Sequence, residues 1–467
     1  MKNNAVDKLA SDLREQLGDR AVRSEPEQRD LHAHDWSSVS VTPPALVVFP
    51  DNAQAVAVAL RLCAEHSQKV VVQGGLTGLA GGATPQPGEI AISLSRLNAI
   101  ERIDELGGTA IVESGVTLQR LQEHVDSLGW TFPLDLGARG SCQLGGNAAT
   151  NAGGNRVVRY GTMRHLVLGV EVALPDGSVL NLMNEVTKNT TGIDLKQLFI
   201  GAEGTLGVIT RLALKLSPIP RATQTALCAL PSFEAAAHLL RDLRSTFPGL
   251  SAYELMWESF IEAAVEASAT PFAFAERHPL YALIEVQGGD EHQLRDSLEE
   301  FLGSSLDRGA IVDAVVASSL ADTQRIWAQR EAISELLAVM KPSLAFDIGL
   351  SLQEMGKLVD RLQSTLQDQF PQARHLFFGH LGDGNLHVLS GPYPDATNAH
   401  EAEALIYGLT AAFGGCISAE HGIGVLKRPF LGLNRSPREL QLMAQIKHLL
   451  DPGAVLNAGR IFEPVGI

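Results

Sequence analysis

The chain has 467 residues, of which 37 are Lys or Arg and 53 are Asp or Glu, so its formal net charge is −16. With 45% hydrophobic and 19% charged residues, it has the composition of a folded protein of two or more domains and not of a disordered chain. The negative charge argues against sequence-independent nucleic-acid binding, which needs a cationic face, and against an anionic membrane surface as the main partner.

Short apolar runs alternate with helical patterns in the first part of the chain. The predicted strands there are 45–49, 69–72, 89–94 and 109–112, with a longer β-rich run at 205–216. One helix is predicted from an N-cap at Asp51 or Asn52 to about His66, and another over 117–128. The turn Pro-Asp-Gly at 175–177 predicts a hairpin of 166–174 with 178–182.

Longer elements follow residue 218. The predicted helices are 233–244, 320–340 and 353–369, and the predicted strands are 251–257, 280–286, 309–316, 344–350 and 375–378. This order predicts an α+β layer of antiparallel strands covered on one face. We therefore expect domains at 1–218 and 219–413, and a segment 414–467 that returns to the first domain.

Cysteine usage and apolar run lengths bear on the cellular compartment. None of the four cysteines is in a Cys-x-x-Cys pair, so neither a zinc ribbon nor a disulfide framework is supported. No apolar run approaches the roughly 18–20 residues that span a bilayer, and residues 1–20 form a charged amphipathic pattern without a signal-peptide core. We expect a cytoplasmic protein, with peripheral contact to the inner membrane left open.

Three glycine-rich stretches adjoin predicted strands. They are QGGLTGLAGGAT at 73–84, PLDLGARGSCQLGGNAATNAGG at 133–154 and GAEGTLG at 201–207. Backbone N–H groups without side chains in the way can wrap a pyrophosphate. One such cluster is more simply explained by turns, but three in one domain indicate a large phosphate-bearing cofactor. Neither the Gly-x-Gly-x-x-Gly fingerprint nor a phosphate-loop Gly-Lys-Ser/Thr occurs in the chain.

These stretches, together with DLKQLFIGAEGTLGVIT, resemble the D-2-hydroxyglutarate and D-lactate dehydrogenase branch of the vanillyl-alcohol-oxidase and p-cresol-methylhydroxylase flavoprotein superfamily. The resemblance spans essentially the whole chain. It implies a two-subdomain α/β FAD-binding domain and an antiparallel-sheet substrate (cap) domain. It also implies non-covalent FAD, since no His lies in the first loop. The cofactor-binding residues that it indicates are Gln73, Gly74, Gly75, Leu76, Thr77, Gly78, Leu79, Pro133, Leu136, Gly137, Ser141, Gly145, Gly146, Asn147, Thr150, Asn151, Gly153, Gly154, Glu203, Gly204, Gly207, Val208, Ile209 and Asn457.

A second cluster, GHLGDGNLH, carries His380 and His387, and SAEHGIG downstream carries Glu420 and His421. A tight turn at 382–385 predicts a hairpin that brings the two imidazoles together. Two His and one carboxylate are a usual ligand set for a catalytic divalent metal. The spacing alone leaves open whether these are ligands or ordinary core and surface histidines. The resemblance implies that His380, His387 and Glu420 bind the metal, zinc with manganese or cobalt as alternatives, and that His421 is the catalytic base.

Arg330 lies in the predicted helix WAQREAISE, where a solvated face is the common fate of an arginine. The resemblance implies that it clamps the substrate carboxylate, with Ser334 one turn later on the same face. Ala345 stands where the D-2-hydroxyglutarate enzymes have lysine, and Leu389 where they have asparagine. Because both polar partners of a second carboxylate are missing, we expect a short or apolar substrate side chain, as in D-lactate or a larger hydrophobic homologue.

The predicted reaction is oxidation of a D-2-hydroxy acid to the 2-oxo acid, with hydride transfer to the flavin N5. The alternatives are a D-2-hydroxyglutarate dehydrogenase, an oxidase that makes peroxide, and a non-catalytic flavin subunit of a glycolate-oxidase-type complex. A quinone or an electron-transferring flavoprotein is the expected acceptor. Nucleic acid is not expected as a partner, and a homodimer is left open.

Overall fold

Apolar runs bounded by turn residues form the strands on which the functional residues are placed. The structure is a computed structural model that describes residues 2–268 and 271–462. It divides into two units: Met1–Gly154, Gly161–Ile219 and Glu420–Ile467 form the first, and Asn155–Tyr160 with Pro220–Ala419 form the second.

The strands of the first unit make two larger sheets and a two-stranded ribbon. They are β1 Val22–Arg23, β2 Val47–Val48, β3 Val70–Gln73, β4 Ile90–Ser93, β5 Ile100–Asp104, β6 Thr109–Glu113, β7 Trp130–Thr131, β8 Val167–Ala173, β9 Val179–Leu182, β10 Val208–Lys215 and β11 Ser217–Pro218. The first sheet has the order β1-β2-β4-β3, the second β5-β6-β10-β8-β9, and the ribbon pairs β11 with β7. The predicted hairpin of β8 and β9 is confirmed, since these strands pair antiparallel.

The strands of the second unit form one antiparallel sheet. They are β12 Ala222–Leu230, β13 Leu250–Trp257, β14 Leu280–Gly288, β15 Asp313–Val316, β16 Leu344–Gly349, β17 Arg374–His380 and β18 Asn385–Gly391. Their order is β15-β12-β14-β13-β17-β18-β16. The predicted hairpin around 382–385 is confirmed as the antiparallel pair of β17 and β18.

The helices surround these sheets. In chain order they are α1 Lys2–Leu17, α2 Pro26–Asp30, α3 Ala53–Glu65, α4 Leu118–Asp126, α5 Leu144–Ala149, α6 Val157–Tyr160, α7 Met163–Leu166, α8 Phe233–Thr246, α9 Glu258–Ser268, α10 Glu291–Asp307, α11 Leu320–Arg330, α12 Ile333–Val339, α13 Leu352–Gln369, α14 Ala396–Ala412 and α15 Pro437–Leu450. Short 3₁₀ helices are Asp19–Ala21, Leu195–Leu198 and Arg428–Leu433. Asn52 caps α3 as predicted, because its side chain accepts a hydrogen bond from the Ala55 N–H at 2.8 Å. Among the described helices, none is both long enough and apolar enough to cross a bilayer.

The prediction of one covered face for the second sheet is wrong. The Tyr253 hydroxyl donates to the Ala236 carbonyl in α8 at 2.8 Å. The Phe378 ring lies 4.3 Å from that of Phe260 in α9, on the opposite face of the sheet. Helices therefore cover both faces, and every residue of β13 is buried. Apolar and polar residues do not alternate in β13, LSAYELMW, and this pattern fits a strand that is buried on both faces.

The prediction of one helix over 320–340 is also wrong. The helix ends at Arg330, and a second one begins at Ile333 after a break at Glu331 and Ala332. Neither glycine nor proline occurs between residues 320 and 340, so the periodicity could not reveal the break.

Candidate functional site

The first unit brings the three glycine-rich loops together. A Cβ added to Gly75 would lie only 2.0 Å from the carbonyl oxygen of Ser141, so the first loop touches the backbone of the second. The third loop also bonds to the second, because the Gly201 N–H donates to the Ala148 carbonyl at 3.0 Å and the Glu203 N–H to the Ala149 carbonyl at 2.7 Å. The contact at Gly75 leaves no room for a Cβ atom.

The surroundings of these loops fit a large polar ligand. A Cβ at Gly137 or Gly146 would meet no described protein atom within 4 Å, so these glycines face open space. Beside the loops, the buried oxygens Ser114 Oγ and Gln143 Oε1 have no hydrogen-bond partner in the described part of the chain. Open space next to orphaned polar atoms is what a bound dinucleotide would fill, and the residues present therefore fit FAD.

Replacing Gly75 with alanine is expected to reduce the FAD affinity of the purified protein roughly tenfold or more, because overpacking costs about 1–3 kcal/mol. The added Cβ would meet Ser141 O at 2.0 Å and Cys142 Cα at 2.9 Å, which forces the two loops apart. G303A in α10 is the control, since a Cβ there meets nothing within 4 Å. Fluorescence titration of the apoprotein with FAD checks this, and equal affinities of G75A, G303A and the unmodified protein would contradict it.

Four of the residues predicted to contact the cofactor have their side chains engaged within the protein. Val208 and Ile209 lie in the apolar cores of the first unit. The Glu203 carboxylate accepts from the backbone N–H groups of Ile423 and Gly424 at 2.7 and 2.8 Å. Asn457 accepts from the Val72 N–H and donates to the Glu203 carbonyl. These four support the loops, so any contact with the cofactor would be through backbone groups.

The segment between β1 and β2 also supports the first glycine loop, which the sequence did not predict. The Asp35 carboxylate, 2% exposed, accepts from the Ala83 N–H at 3.1 Å and from Thr84 Oγ1 at 3.0 Å. Nearby, the Gln73 side chain bonds to both the ring and the carbonyl of His32. The sequence HAHDWSS carries no motif that would have indicated this role.

In the second unit, the β17–β18 hairpin brings His380 and His387 together. Their ring centroids are 5.2 Å apart, with the rings nearly perpendicular. The His387 ring also stacks on Phe378 at 5.1 Å. Two imidazoles at this separation can share one metal ion, so the chemistry of this donor pair fits the predicted metal.

Glu254 on β13 joins His380 to Arg330. Its Oε1 accepts from His380 Nδ1 at 2.7 Å and its Oε2 from Arg330 Nε at 2.8 Å, and all three side chains are buried. Burial acts to raise the pKa of Glu254, but the electrostatic effects of His380 and Arg330 and the hydrogen bonds that both donate outweigh it and hold the pKa below its usual value. Glu254 is therefore an ionised acceptor for both donors.

Arg330 and Ser334 lie in different environments. Arg330 is 3% exposed and its guanidinium lies 4.7 Å from the centroid of the Phe378 ring, so it is not on a solvated helix face. Ser334 belongs to the next helix, α12, and is exposed. The expected shared face of one helix is wrong because the helix breaks between them.

Asp347 holds the chain segment that leads to the predicted ligand Glu420. It pairs in register with His387 on β18. Its Oδ2 accepts from Ser418 Oγ at 3.2 Å, and its backbone carbonyl accepts from the Ala419 N–H at 3.3 Å. Glu420 is the next residue along the chain, so its Cα is about 3.8 Å from that of Ala419.

Within the first unit, Glu420 and His421 begin a segment that is bonded to the glycine loops. The Gly154 N–H donates to Glu420 Oε1 at 2.8 Å. Glu203 holds the following residues through the two backbone hydrogen bonds described above. Glu420 and His421 are both half-buried. The predicted base therefore lies on a segment that is hydrogen-bonded to two of the loops expected to hold the cofactor.

The two positions where the sequence departs from the D-2-hydroxyglutarate pattern are neighbours. Ala345 on β16 and Leu389 on β18 are cross-strand partners, two residues from the pair of Asp347 and His387 on the same face of the sheet. Leu389 is 3% exposed in an apolar cluster, whereas Ala345 is exposed. The two predicted departures thus lie side by side, next to His387.

Two known families match separate parts of the chain. The family described as "FAD binding domain" matches residues 44–183, and the family described as "FAD linked oxidases, C-terminal domain" matches residues 219–461. A mitochondrial D-2-hydroxyglutarate dehydrogenase of Bos taurus is 38% identical over 93% of this chain and 80% of its own. A D-2-hydroxyglutarate dehydrogenase of Xanthomonas citri pv. viticola is 36% identical over 95% and 94%. A mitochondrial protein of Schizosaccharomyces pombe, named provisionally as a D-lactate dehydrogenase, is 35% identical over 93% and 84%.

Solved structures of the same fold are more distant in sequence. p-Cresol methylhydroxylase with bound substrate superposes with a TM-score of 0.81 at 17% identity, covering 98% of this chain and 97% of that one. Alkyldihydroxyacetonephosphate synthase gives a TM-score of 0.74 at 17% identity, covering 97% and 84%. At this identity the likeness establishes the fold, which is the predicted vanillyl-alcohol-oxidase type.

Proposed function

This chain belongs to the FAD-linked oxidase family and is an FAD-dependent oxidoreductase of its D-2-hydroxyacid dehydrogenase branch, and from that premise we propose that it oxidises a D-2-hydroxy acid with a short or apolar side chain and that it needs a divalent metal. The observation that carries the substrate preference is the cross-strand pair of Ala345 and Leu389. The metal requirement is supported by the pair of imidazoles on the β17–β18 hairpin.

The three glycine loops are proposed to hold FAD through their backbone N–H groups, with Thr77, Ser141 and Thr150 as nearby hydroxyl groups. Bound FAD supplies an acceptor for the two electrons and the hydrogen that leave the substrate carbon. The close crossing of the loops at Gly75 supports this, because it brings the backbones of two of these loops into contact.

We propose His380, His387 and Glu420 as the metal ligands. A divalent metal supplies positive charge that lowers the pKa of a neighbouring hydroxyl group. With His380 Nδ1 donating to Glu254, Nε2 is the nitrogen that would act as ligand. The bonds of Asp347 to residues 418 and 419 support the inclusion of Glu420, since they fix the chain one residue before it.

Arg330 and His421 are proposed to act on the substrate directly. Arg330 would hold the carboxylate common to all 2-hydroxy acids, because its Nε is bonded to Glu254 and its two Nη groups form the outer edge of the fork. One of the imidazole nitrogens of His421 would take the proton of the 2-hydroxyl group, a task that suits a neutral histidine near pH 7. Exposed Ser334 is not part of this proposal.

The chain is expected to oxidise D-lactate or D-2-hydroxyisocaproate with a kcat/KM at least roughly 100-fold above that for D-2-hydroxyglutarate. Beside Leu389, which is 3% exposed, a second carboxylate would lose water without gaining a polar partner, which costs several kcal/mol, and each 1.4 kcal/mol is tenfold. Steady-state rates with a dye acceptor over a panel that includes D-mandelate measure this. A preference for the dicarboxylate would contradict it.

The variant A345K/L389N is designed to restore the missing polar pair. It should raise kcat/KM for D-2-hydroxyglutarate relative to D-lactate by at least about tenfold, since each charge-assisted contact contributes about 1.5–3 kcal/mol. A412K, at the exposed end of α14, adds the same charge elsewhere in the second unit and should leave the ratio unchanged.

Oxidation of D-2-hydroxyglutarate is the second candidate function. It is favoured by the names of the bovine and Xanthomonas relatives, which this chain matches over almost its full length. The substrate panel separates the two candidates. A quinone or an electron-transferring flavoprotein remains the proposed acceptor in both cases.

A further inference from the structure

We infer that Glu254 is the positioning residue of the site: its one carboxylate orients both His380 as a metal ligand and Arg330 as the clamp for the substrate carboxylate. This inference rests on the proposed function, because it assigns the residue that sets up two of its proposed groups. Glu254 is not part of any motif singled out from the sequence, where it stands in an ordinary strand pattern, SAYELMW.

The geometry of Glu254 is that of a bridging acceptor. It sits opposite His380 in the register of β13 and β17, so the two side chains project from the same face of the sheet. Each carboxylate oxygen takes one donor, His380 Nδ1 at 2.7 Å and Arg330 Nε at 2.8 Å. Its side chain is 1% exposed, so water does not compete for either hydrogen bond.

The hydrogen bond from His380 Nδ1 to Glu254 determines that Nε2 is the nitrogen that would bind a metal. A carboxylate that accepts from Nδ1 selects the tautomer with the proton on that atom and directs the lone pair of Nε2 outward. Carboxylate partners of this kind typically contribute 10- to 100-fold to metal affinity. The ring of His380 is further restrained by its perpendicular contact with His387.

The bond to Arg330 fixes the guanidinium plane. Helix α11 ends at Arg330. The Arg330 Nε donates to Glu254, and its guanidinium carbon lies 4.7 Å from the centroid of the Phe378 ring. These two contacts restrain the plane of the guanidinium group. Its two Nη groups can then donate hydrogen bonds to a substrate carboxylate. Since the same carboxylate holds both groups, a change at Glu254 should affect metal and substrate binding together.

The matched control for Glu254 is Glu285 on the adjacent strand β14. It is also buried and also accepts from an arginine, Arg156 Nε at 3.0 Å, but it bonds to none of the proposed ligands in the described structure. E285Q therefore reproduces the loss of a buried carboxylate–arginine pair in the same sheet. The variants E254Q and E254D remove, respectively, the charge and the reach of the bridging carboxylate.

The experiment titrates metal-free, FAD-loaded protein with Zn²⁺ alone, by competition with a chromophoric chelator, and then measures KM at saturating Zn²⁺. We expect a 10- to 100-fold weaker Zn²⁺ affinity in E254Q and E254D, and a KM raised about tenfold or more even with the metal site saturated. E285Q should bind Zn²⁺ as the unmodified protein does. If E254Q does not fold, as judged by its circular dichroism spectrum and thermal unfolding, E254D carries the test alone.

A Zn²⁺ affinity of the Glu254 variants within threefold of that of E285Q would overturn the inference, and an unchanged KM would overturn its Arg330 part. These failures differ from a failure of the proposed function. If the proposed function fails, the unmodified protein itself binds no Zn²⁺ or oxidises no 2-hydroxy acid, and the inference about Glu254 fails with it.

Discussion

Replacing His421 with asparagine or alanine is expected to give a protein that retains FAD but whose flavin is no longer reduced by the substrate at a useful rate. A general base of this kind contributes about 10²- to 10⁴-fold, and the substitution should lower the rate of flavin reduction by that factor. FAD binding should persist, because the neighbouring residues Ile423 and Gly424 are held by Glu203 through backbone groups that the substitution leaves in place. Anaerobic stopped-flow absorption at a saturating substrate concentration measures the step directly.

The control for this experiment is H124A, an exposed histidine of α4 in the same unit. It should reduce its flavin as fast as the unmodified protein does. Flavin reduction by H421N within about threefold of the H124A rate would show that another group removes the hydroxyl proton. Loss of FAD from H421N would instead assign His421 to the support of the cofactor loops.

Removal of the divalent metal is expected to lower activity at least about 10³-fold, since charge stabilisation by a bound metal supplies several kcal/mol. Zn²⁺, Mn²⁺ or Co²⁺ should restore it in the unmodified protein. H387A should stay inactive with every metal, because the hairpin would then offer one imidazole where two now lie 5.2 Å apart. Prolonged chelation followed by activity and metal analysis is the measurement.

H238A serves as the matched control for H387A, because His238 is an exposed histidine of α8 in the same unit. H238A should lose activity on chelation and regain it with added metal, as the unmodified protein does. A chelated protein that contains no metal by elemental analysis and keeps its full activity would remove the metal from the proposed reaction.

The sequence predicted the parts of the site that depend on local chain geometry. Glycine density indicated the three loops, and the structure shows why: at Gly75 even one added carbon would collide with Ser141. The pair His380 and His387 was predictable because a tight turn between two apolar runs forms a hairpin. Both features depend on residues that are near one another in the chain.

Features that depend on distant residues were not predictable. The break after Arg330 carries no glycine or proline, and the partner of Arg330 is Glu254, 76 residues away. Asp35 supports a loop 48 residues beyond it through its bond to Ala83. A buried charge shows its role only when its partner is known, and a single sequence does not pair residues over such distances.

The pairing of Ala345 with Leu389 changes how the two sequence departures are understood. The sequence predicts each as the loss of one polar group. As cross-strand partners, Ala345 and Leu389 lie side by side on the face of the sheet that carries His387. A single change of substrate side chain would therefore account for both predicted departures.

The most direct test of the central claim is anaerobic titration of the purified, Zn²⁺-supplemented flavoprotein with D-lactate or D-2-hydroxyisocaproate, followed by its visible absorption. The proposed function predicts that the absorption of oxidised flavin bleaches with about one equivalent of the D-acid and is unaffected by the L-acid. A flavin that stays oxidised with these acids and with D-2-hydroxyglutarate, or a protein that takes up no FAD, would contradict it.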